Sequence, residues 1–271
     1  MQCKIVAEIG WNHMGDISLA KKMIDAAHLS GVDCIKFQTW SVEDLQPGTW
    51  DEDGRKEIYK KAELTRDKHK KLFDYCVEKN IQFLTSVFNV RHIAMLRALG
   101  CNQIKIASCE SLNFDLLSAC FEAFGRVYIS TGGLTSLECL SLLDFIKPHS
   151  DKTTLLHCVS LYPCADEKSN IERMHMLKSL SGCEVGYSDH TAGCFIPYMA
   201  IAKGAAVIEK HFTIDNDLPG RDNKNACLPD VLKQICDFRD LHETLVENTT
   251  LERNTEEVAF EEFRGRWTQK K

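Results

Sequence analysis

The chain has 271 residues, of which 44% are hydrophobic and 27% charged, a composition typical of a folded globular protein and not of a disordered or fibrous one. Its formal net charge of −6 excludes a general basic surface for nucleic acid or an anionic membrane, so an anionic ligand would need local cations. The 13 cysteines include no C-x-x-C pair and lie in apolar segments, which indicates reduced core residues and a cytoplasmic protein. No apolar run approaches the ~20 residues of a membrane span, and we expect none.

Eight short apolar segments alternate along the chain with stretches of helical period. The predicted strands are residues 4–9, 34–39, 82–87, 103–108, 126–131, 153–158, 184–188 and 207–212. Eight repeated βα units favour an α/β fold of the closed (β/α)8 TIM-barrel type over an open doubly wound sheet, which usually has fewer strands. We therefore predict a barrel domain over residues 1–247 and a charged tail over residues 248–271.

Local signals mark the ends of the helices. Asp16 precedes an apolar-periodic run that ends at Gly31, and Asn89 precedes another that ends at Gly100. Residues 41–66 are too many for a simple connection between a strand and a helix. We interpret them as an elaborated loop over the barrel mouth, with a disordered insertion as the alternative.

Polar residues are concentrated near the carboxyl ends of the predicted strands, where barrel enzymes carry their active sites. Two cations on different strands, Lys36 and Lys105, can converge on one carboxylate or phosphate. Hydroxyl and backbone N–H groups that can join them come from Ser108, Ser130, Thr131 and Gly132. The alternative for either lysine is an ion pair with Glu8 or Glu110.

Two histidines are candidate metal ligands. His190 and His211 close the seventh and eighth strands, so their imidazoles can share a divalent ion and leave positions for water and substrate oxygens. The alternative for each is a hydrogen-bonded structural histidine. His157, in the middle of the sixth strand, is interpreted in that structural way.

Ten short strings, in order along nearly the whole chain, together resemble the sialic acid synthases, the phosphoenolpyruvate-dependent N-acylneuraminate synthases. They are AEIG at 7–10, NH at 12–13, IKFQT at 35–39, IKIASCE at 104–110, ISTG at 129–132, LLHC at 155–158, YP at 162–163, GYSDHT at 186–191, IEKHFT at 208–213 and PGRD at 219–222. The resemblance implies condensation of phosphoenolpyruvate with the aldehyde of an N-acylated hexosamine such as N-acetylmannosamine. The products would be a nine-carbon α-keto acid sugar and phosphate.

The resemblance also implies roles for individual residues. His190 and His211 would hold Mn²⁺ or Mg²⁺, Glu8 would act as base on a water molecule, and Glu110 would bind sugar hydroxyls. The residues expected to bind the two substrates are Lys36, Gln38, Lys105, Ser108, Ser130, Thr131, Gly132, Ser160, Tyr162, Ser188 and Asp222.

The chain departs from the family pattern in two respects. Members commonly carry a C-terminal antifreeze-like domain, swapped across a dimer, and we expect that domain to be absent here, with a homodimer formed by the barrels. Ser160 stands where many relatives have asparagine, and Cys109 stands where glycine is frequent. The alternatives are therefore a related synthase acting on another acceptor, such as a pseudaminic or legionaminic precursor or an aldose phosphate, and a non-catalytic barrel that binds a sugar phosphate.

Overall fold

The structure, a computed structural model that describes residues 2–264 and 266–267, is a closed barrel of eight parallel strands. The strands are β1 (Lys4–Gly10), β2 (Cys34–Thr39), β3 (Gln82–Val87), β4 (Gln103–Ile106), β5 (Arg126–Ser130), β6 (Thr153–Cys158), β7 (Glu184–Asp189) and β8 (Val207–His211). Each strand pairs with the next, and β8 closes the barrel against β1. The (β/α)8 prediction is confirmed, and each predicted strand is present.

At least one helix follows each strand along the chain. They are α1 (Ile17–Leu29), α2 (Arg55–Ala62), α3 (Arg66–Glu78), α4 (Ile93–Leu99), α5 (Phe114–Ala123), α6 (Ser136–Ile146), α7 (Arg173–Ser181), α8 (Phe195–Ala202) and α9 (Pro229–Glu247). Asp16 caps α1 as predicted, because its carboxylate accepts from the backbone N–H groups of Ser18 and Leu19. Asn89 instead caps a short 3-10 turn that precedes α4, so its predicted role moves to that turn. None of the described helices is long and apolar enough to cross a membrane.

The barrel interior is apolar toward the amino ends of the strands and polar toward their carboxyl ends. A small inner cluster contains Val6, Cys34, Leu84, Tyr128, Leu156 and Val207. Alternate residues of a strand face the same side, so the next inward position after Val6 is Glu8, after Cys34 is Lys36, and after Val207 is Glu209. The polar layer therefore rests on a packed apolar floor.

The long connection after β2 is ordered and lies at the barrel mouth. It contains 3-10 turns at Val42–Asp44 and Thr49–Asp51, followed by α2. Part of it lines the central cavity, as predicted for a loop over the mouth. After α9 the described residues are exposed and include a 3-10 segment at Thr255–Phe263, and the division at residue 247 into domain and tail stays a prediction.

Candidate active site

Four buried charged side chains occupy the centre of the polar layer. The Lys36 ammonium lies 2.9 Å from a Glu8 carboxylate oxygen and 3.4 Å from Glu209, and it donates to the Ser86 hydroxyl at 3.0 Å. The Lys105 ammonium lies 4.0 Å from the same Glu209 oxygen. Lys36 thus forms the ion pair with Glu8 that was the alternative to ligand binding. Two cations face two carboxylates, so the cluster balances its own charge.

The two carboxylates differ in pKa because the lysines outweigh the effect of burial at Glu209 but not at Glu8. Burial raises the pKa of Glu8 to about 7, although Lys36 opposes the shift. Burial also acts to raise the pKa of Glu209, but Lys105 and Lys36 outweigh it and hold that pKa below its ordinary value. Burial lowers the pKa of Lys105, which has one carboxylate nearby at a longer distance. Glu209 therefore remains ionised near neutral pH, whereas Glu8 can gain or lose a proton there.

Two serine hydroxyls extend this cluster around the barrel. Lys105 donates to the Ser130 hydroxyl at 2.6 Å, and the Ser188 hydroxyl donates to Glu209 at 3.2 Å. The structure thus brings together Lys36, Lys105, Ser130 and Ser188, all of which were expected to bind substrate. Glu209, which carries the shared counter-charge of the two lysines, was not predicted as a site residue.

A crowded turn follows β5, where a phosphate site was predicted. The backbone N–H of Gly132 donates to the Ser108 hydroxyl at 3.0 Å. A Cβ on Gly132 would lie 2.4 Å from the Ser160 hydroxyl and 2.8 Å from that of Ser108, so a larger residue would displace both hydroxyls. The Thr131 hydroxyl donates to the Leu156 carbonyl at 3.3 Å. Ser108, Gly132 and Ser160 therefore form one small polar recess. The Thr131 hydroxyl proton, in contrast, is already donated to the Leu156 carbonyl inside the barrel.

The two candidate metal ligands lie side by side. The ring centroids of His190 and His211 are 5.6 Å apart, and the Tyr162 ring lies 4.0 Å from that of His190. Nδ1 of His190 lies 2.7 Å from the Val159 carbonyl, to which it donates, so Nε2 carries the free lone pair. Burial lowers the pKa of His211, whose Nδ1 has no hydrogen-bond partner among the described residues. The His211 ring is therefore neutral near neutral pH.

A buried ion pair that the sequence did not reveal lies next to the histidines. Asp189 and Lys210 form a close salt bridge, and Lys210 also donates to the Thr191 carbonyl at 2.6 Å. The Asp189 carboxylate accepts from the Thr191 backbone N–H at 3.0 Å. These residues adjoin His190 and His211 in the chain, so the pair ties together the ends of β7 and β8. His157 instead binds the Ser169 carbonyl at 2.8 Å within the core, as its structural interpretation requires.

A cavity of about 660 Å³ opens at the barrel mouth. The predicted site residues that line it are Gln38, Glu110, Tyr162, His190, His211 and Asp222. Gln38 connects the cavity to the charged layer, because its amide donates to Glu8 at 2.9 Å. Four aromatic lining residues were not predicted as part of the site: Trp11, Trp40, Tyr59 and Phe88. The two tryptophans directly follow strand-end motifs and could have been found by the same rule, whereas Tyr59 lies on α2.

Fold and site define a class of protein: a TIM barrel whose mouth combines buried lysines with paired imidazoles. The family profile described as "NeuB family" matches residues 23–249, and the chain belongs to this family. The chain is 36% identical to an N,N'-diacetyllegionaminic acid synthase of Legionella pneumophila, with 87% of this chain and 70% of the relative covered. It is 33% identical to a pseudaminic acid synthase of Helicobacter pylori, with 81% and 68% covered.

Solved structures agree with this assignment. An N-acetylneuraminic acid synthetase of Leptospira borgpetersenii in complex with citrate matches with a TM-score of 0.86 and 33% identity, covering 100% of this chain and 94% of that one. The resemblance to the sialic acid synthases is confirmed at the level of the family. The roles of the individual site residues, the homodimer and the cytoplasmic location stay predictions.

Proposed function

We propose that the protein condenses phosphoenolpyruvate with the aldehyde of an N-acylated hexosamine to give a nine-carbon α-keto acid and phosphate. The observation that carries the proposal is the convergence of Lys36 and Lys105, on two different strands, beneath a mouth that contains His190 and His211. The names of its relatives, synthases of legionaminic, pseudaminic and N-acetylneuraminic acids, support the same reaction class.

The charged layer and the recess beside it would bind phosphoenolpyruvate. Lys36 and Lys105 supply cations, and the Ser108 hydroxyl, which accepts from the Gly132 backbone N–H, can donate its own proton to an oxygen of the anion.

Glu8 is the residue best suited to act as base. In the reaction, C3 of phosphoenolpyruvate bonds to the aldehyde carbon, water adds to C2, and the C–O bond to phosphate then breaks. The adding water must lose a proton, and a carboxylate with a pKa near the working pH accepts it efficiently. The Gln38 amide, which lines the cavity, donates to one oxygen of Glu8 at 2.9 Å and so orients the carboxylate.

We also propose that His190 and His211 hold a divalent cation, Mn²⁺ or Mg²⁺. The His190 tautomer leaves Nε2 as an acceptor, and the depressed pKa of His211 keeps that ring neutral, as metal ligation requires. The described residues contain no group of three or more His, Cys, Asp or Glu side chains that could hold a metal ion, so water and substrate oxygens would complete the ligand set. When bound, the cation supplies a Lewis acid for the aldehyde oxygen.

The test is phosphate release from phosphoenolpyruvate with Mn²⁺, using N-acetylmannosamine, mannose, a diacetamido-trideoxyhexose and arabinose 5-phosphate as acceptors in parallel. Release with an N-acylated acceptor is the expected result. His190→Ala and His211→Ala should abolish Mn²⁺ binding in calorimetric titration, whereas His175→Ala, on exposed α7, should bind as the parent does. Failure of the parent to bind phosphoenolpyruvate or Mn²⁺ would overturn the proposal, and tight binding without turnover would favour the non-catalytic barrel.

A further inference from the structure

Three half-buried aromatic side chains form one wall of the mouth cavity. Tyr59 lies edge-on to Trp11, with ring centroids 5.7 Å apart, and edge-on to Trp40 at 5.9 Å. Leu45 and Phe88 also line the cavity. We call Trp11, Trp40 and Tyr59 the aromatic wall. Such a surface in a cleft favours apolar groups of a ligand, because their contact with the rings removes both surfaces from water.

The aromatic wall is held in place by its supports. Glu63, just after α2, accepts from the Ser41 hydroxyl at 2.8 Å and from the Val42 backbone N–H at 2.9 Å, which closes the long connection on itself. At Gly15, in the turn before α1, a Cβ would lie 1.9 Å from the Lys61 carbonyl at the end of α2. The backbone that carries Tyr59 therefore packs directly against the turn that follows Trp11. Because the aromatic wall is already ordered before a ligand binds, binding loses little conformational entropy there, and the wall can discriminate between ligands.

Cations are scarce around this cavity. Among its described lining residues, the lysine and arginine side chains are those of Lys210 and Arg221. Lys210 is buried and taken up by its salt bridge with Asp189. Arg221 alone is left to face an anionic group of a ligand, whereas phosphate sites usually use several charged donors.

Carboxylates outweigh that single cation. Asp44 is paired with Arg91, 3.0 Å from its guanidinium. Glu110 and Asp222 also line the cavity, so among the described lining residues two further carboxylates accompany the one unpaired cation, Arg221. A phosphate group on the acceptor would therefore find Arg221 as its one unpaired cationic side chain among the described lining residues, fewer than a phosphate site usually has.

We propose that the aromatic wall selects the acceptor: an uncharged hexose derivative bearing apolar acyl or deoxy groups, and not a sugar phosphate. The inference rests on the proposed condensation, whose acceptor it specifies further. Hydroxyls of such a sugar can bind Glu110 and Asp222, while acyl methyl groups or a deoxy carbon pack on Trp40 and Tyr59. One relative, an N-acetylneuraminate-9-phosphate synthase of Drosophila melanogaster that is 31% identical, is named for a phosphorylated product, so the family does not decide this point.

The test compares kcat/KM for a diacetamido-trideoxyhexose, N-acetylmannosamine and N-acetylmannosamine 6-phosphate, each with saturating phosphoenolpyruvate and Mn²⁺. The diacetamido sugar should be the best substrate, and the 6-phosphate should be at least about tenfold worse than N-acetylmannosamine, as expected when a buried or charged group is left unmatched. Tyr59→Ala and Trp40→Ala should each lower kcat/KM for the diacetamido sugar about tenfold or more and leave KM for phosphoenolpyruvate within about twofold.

Two control variants distinguish loss of a specific contact with the aromatic wall from general disruption of the protein. Tyr59→Phe keeps the ring and should retain the parent's acceptor preference. Phe195→Ala removes an aromatic side chain that is 71% exposed on α8, away from the cavity lining, and should change nothing. A best kcat/KM with the 6-phosphate, or equal losses for all acceptors in Tyr59→Ala, would overturn the inference while the condensation itself stood.

Acceptor binding is measured separately, by saturation-transfer difference NMR. If no acceptor supports phosphate release but the diacetamido sugar binds in a manner that depends on Tyr59, the proposed function fails and the assignment of the wall is supported. If the parent neither turns over nor binds any of the three sugars, both proposals are overturned.

Discussion

Replacing Lys210 with methionine should destabilise the protein by about 3–5 kcal/mol, because it leaves the buried Asp189 carboxylate without a cationic partner. Lys210 is 3% exposed and Asp189 1%. In the variant the carboxylate would keep its hydrogen bonds from the Thr191 backbone N–H and hydroxyl, but it would lose its cation. At about 2.1 cal/mol/K of unfolding entropy per residue, this loss corresponds to a fall in Tm of roughly 5–9 °C for a chain of this size.

The measurement is urea unfolding at pH 7 together with calorimetric titration of Mn²⁺. The double variant Asp189→Asn/Lys210→Met has no unpaired buried charge and should recover most of the free energy of unfolding that Lys210→Met loses. Its Mn²⁺ affinity should remain about 10–100-fold below that of the parent, since the pair ties together the strand ends that carry the two histidines. Lys233→Met, which breaks an exposed ion pair on α9, is the matched control and should cost no more than about 1 kcal/mol. A loss below about 1 kcal/mol in Lys210→Met would refute the reasoning, because it would mean that the pair is not shielded from water.

Gly132→Ala should weaken phosphoenolpyruvate binding at least about tenfold in calorimetric titration, because the new Cβ would lie 2.4 Å from the Ser160 hydroxyl; unchanged affinity would exclude a binding role for this recess. Burial lowers the pKa of His157 to about 4, so the unfolded chain takes up the proton first as the pH falls below 6.5. The stability from neutral His157 is therefore present above pH 6.5 and is lost as the pH falls toward 4, by about 2 kcal/mol at pH 5. Denaturant unfolding at pH 7 and pH 5 should show a smaller difference in His157→Gln than in the parent, and an equal difference would contradict the assignment. Gly15→Ala should expose residues 41–65 to faster hydrogen exchange, because the added Cβ would lie 1.9 Å from the Lys61 carbonyl; unchanged exchange would show that this contact does not hold α2.

The barrel and the set of polar residues at its mouth could be predicted, because both depend on short-range patterns in the sequence. Strand segments were recognisable from apolar runs, and their alternation sets which side chains face inward. Lys36 and Lys105 were assigned to one anion site on that basis, and the structure places both within 4.0 Å of one Glu209 oxygen. The structural interpretation of His157 followed from its mid-strand position and is borne out by its buried bond to Ser169.

Pairings between distant segments could not be predicted in the same way. The salt bridge of Lys210 with Asp189 depends on the register between β7 and β8, and the charge balance around Glu209 depends on how three strands converge across the barrel. Tyr59 reaches the mouth because α2 folds back against the turn before α1, a contact between segments some 45 residues apart in the chain. Local alternation thus decides which side chains face the mouth, but their partners and charge states depend on distances across the closed barrel, which exist only once all eight strands have paired.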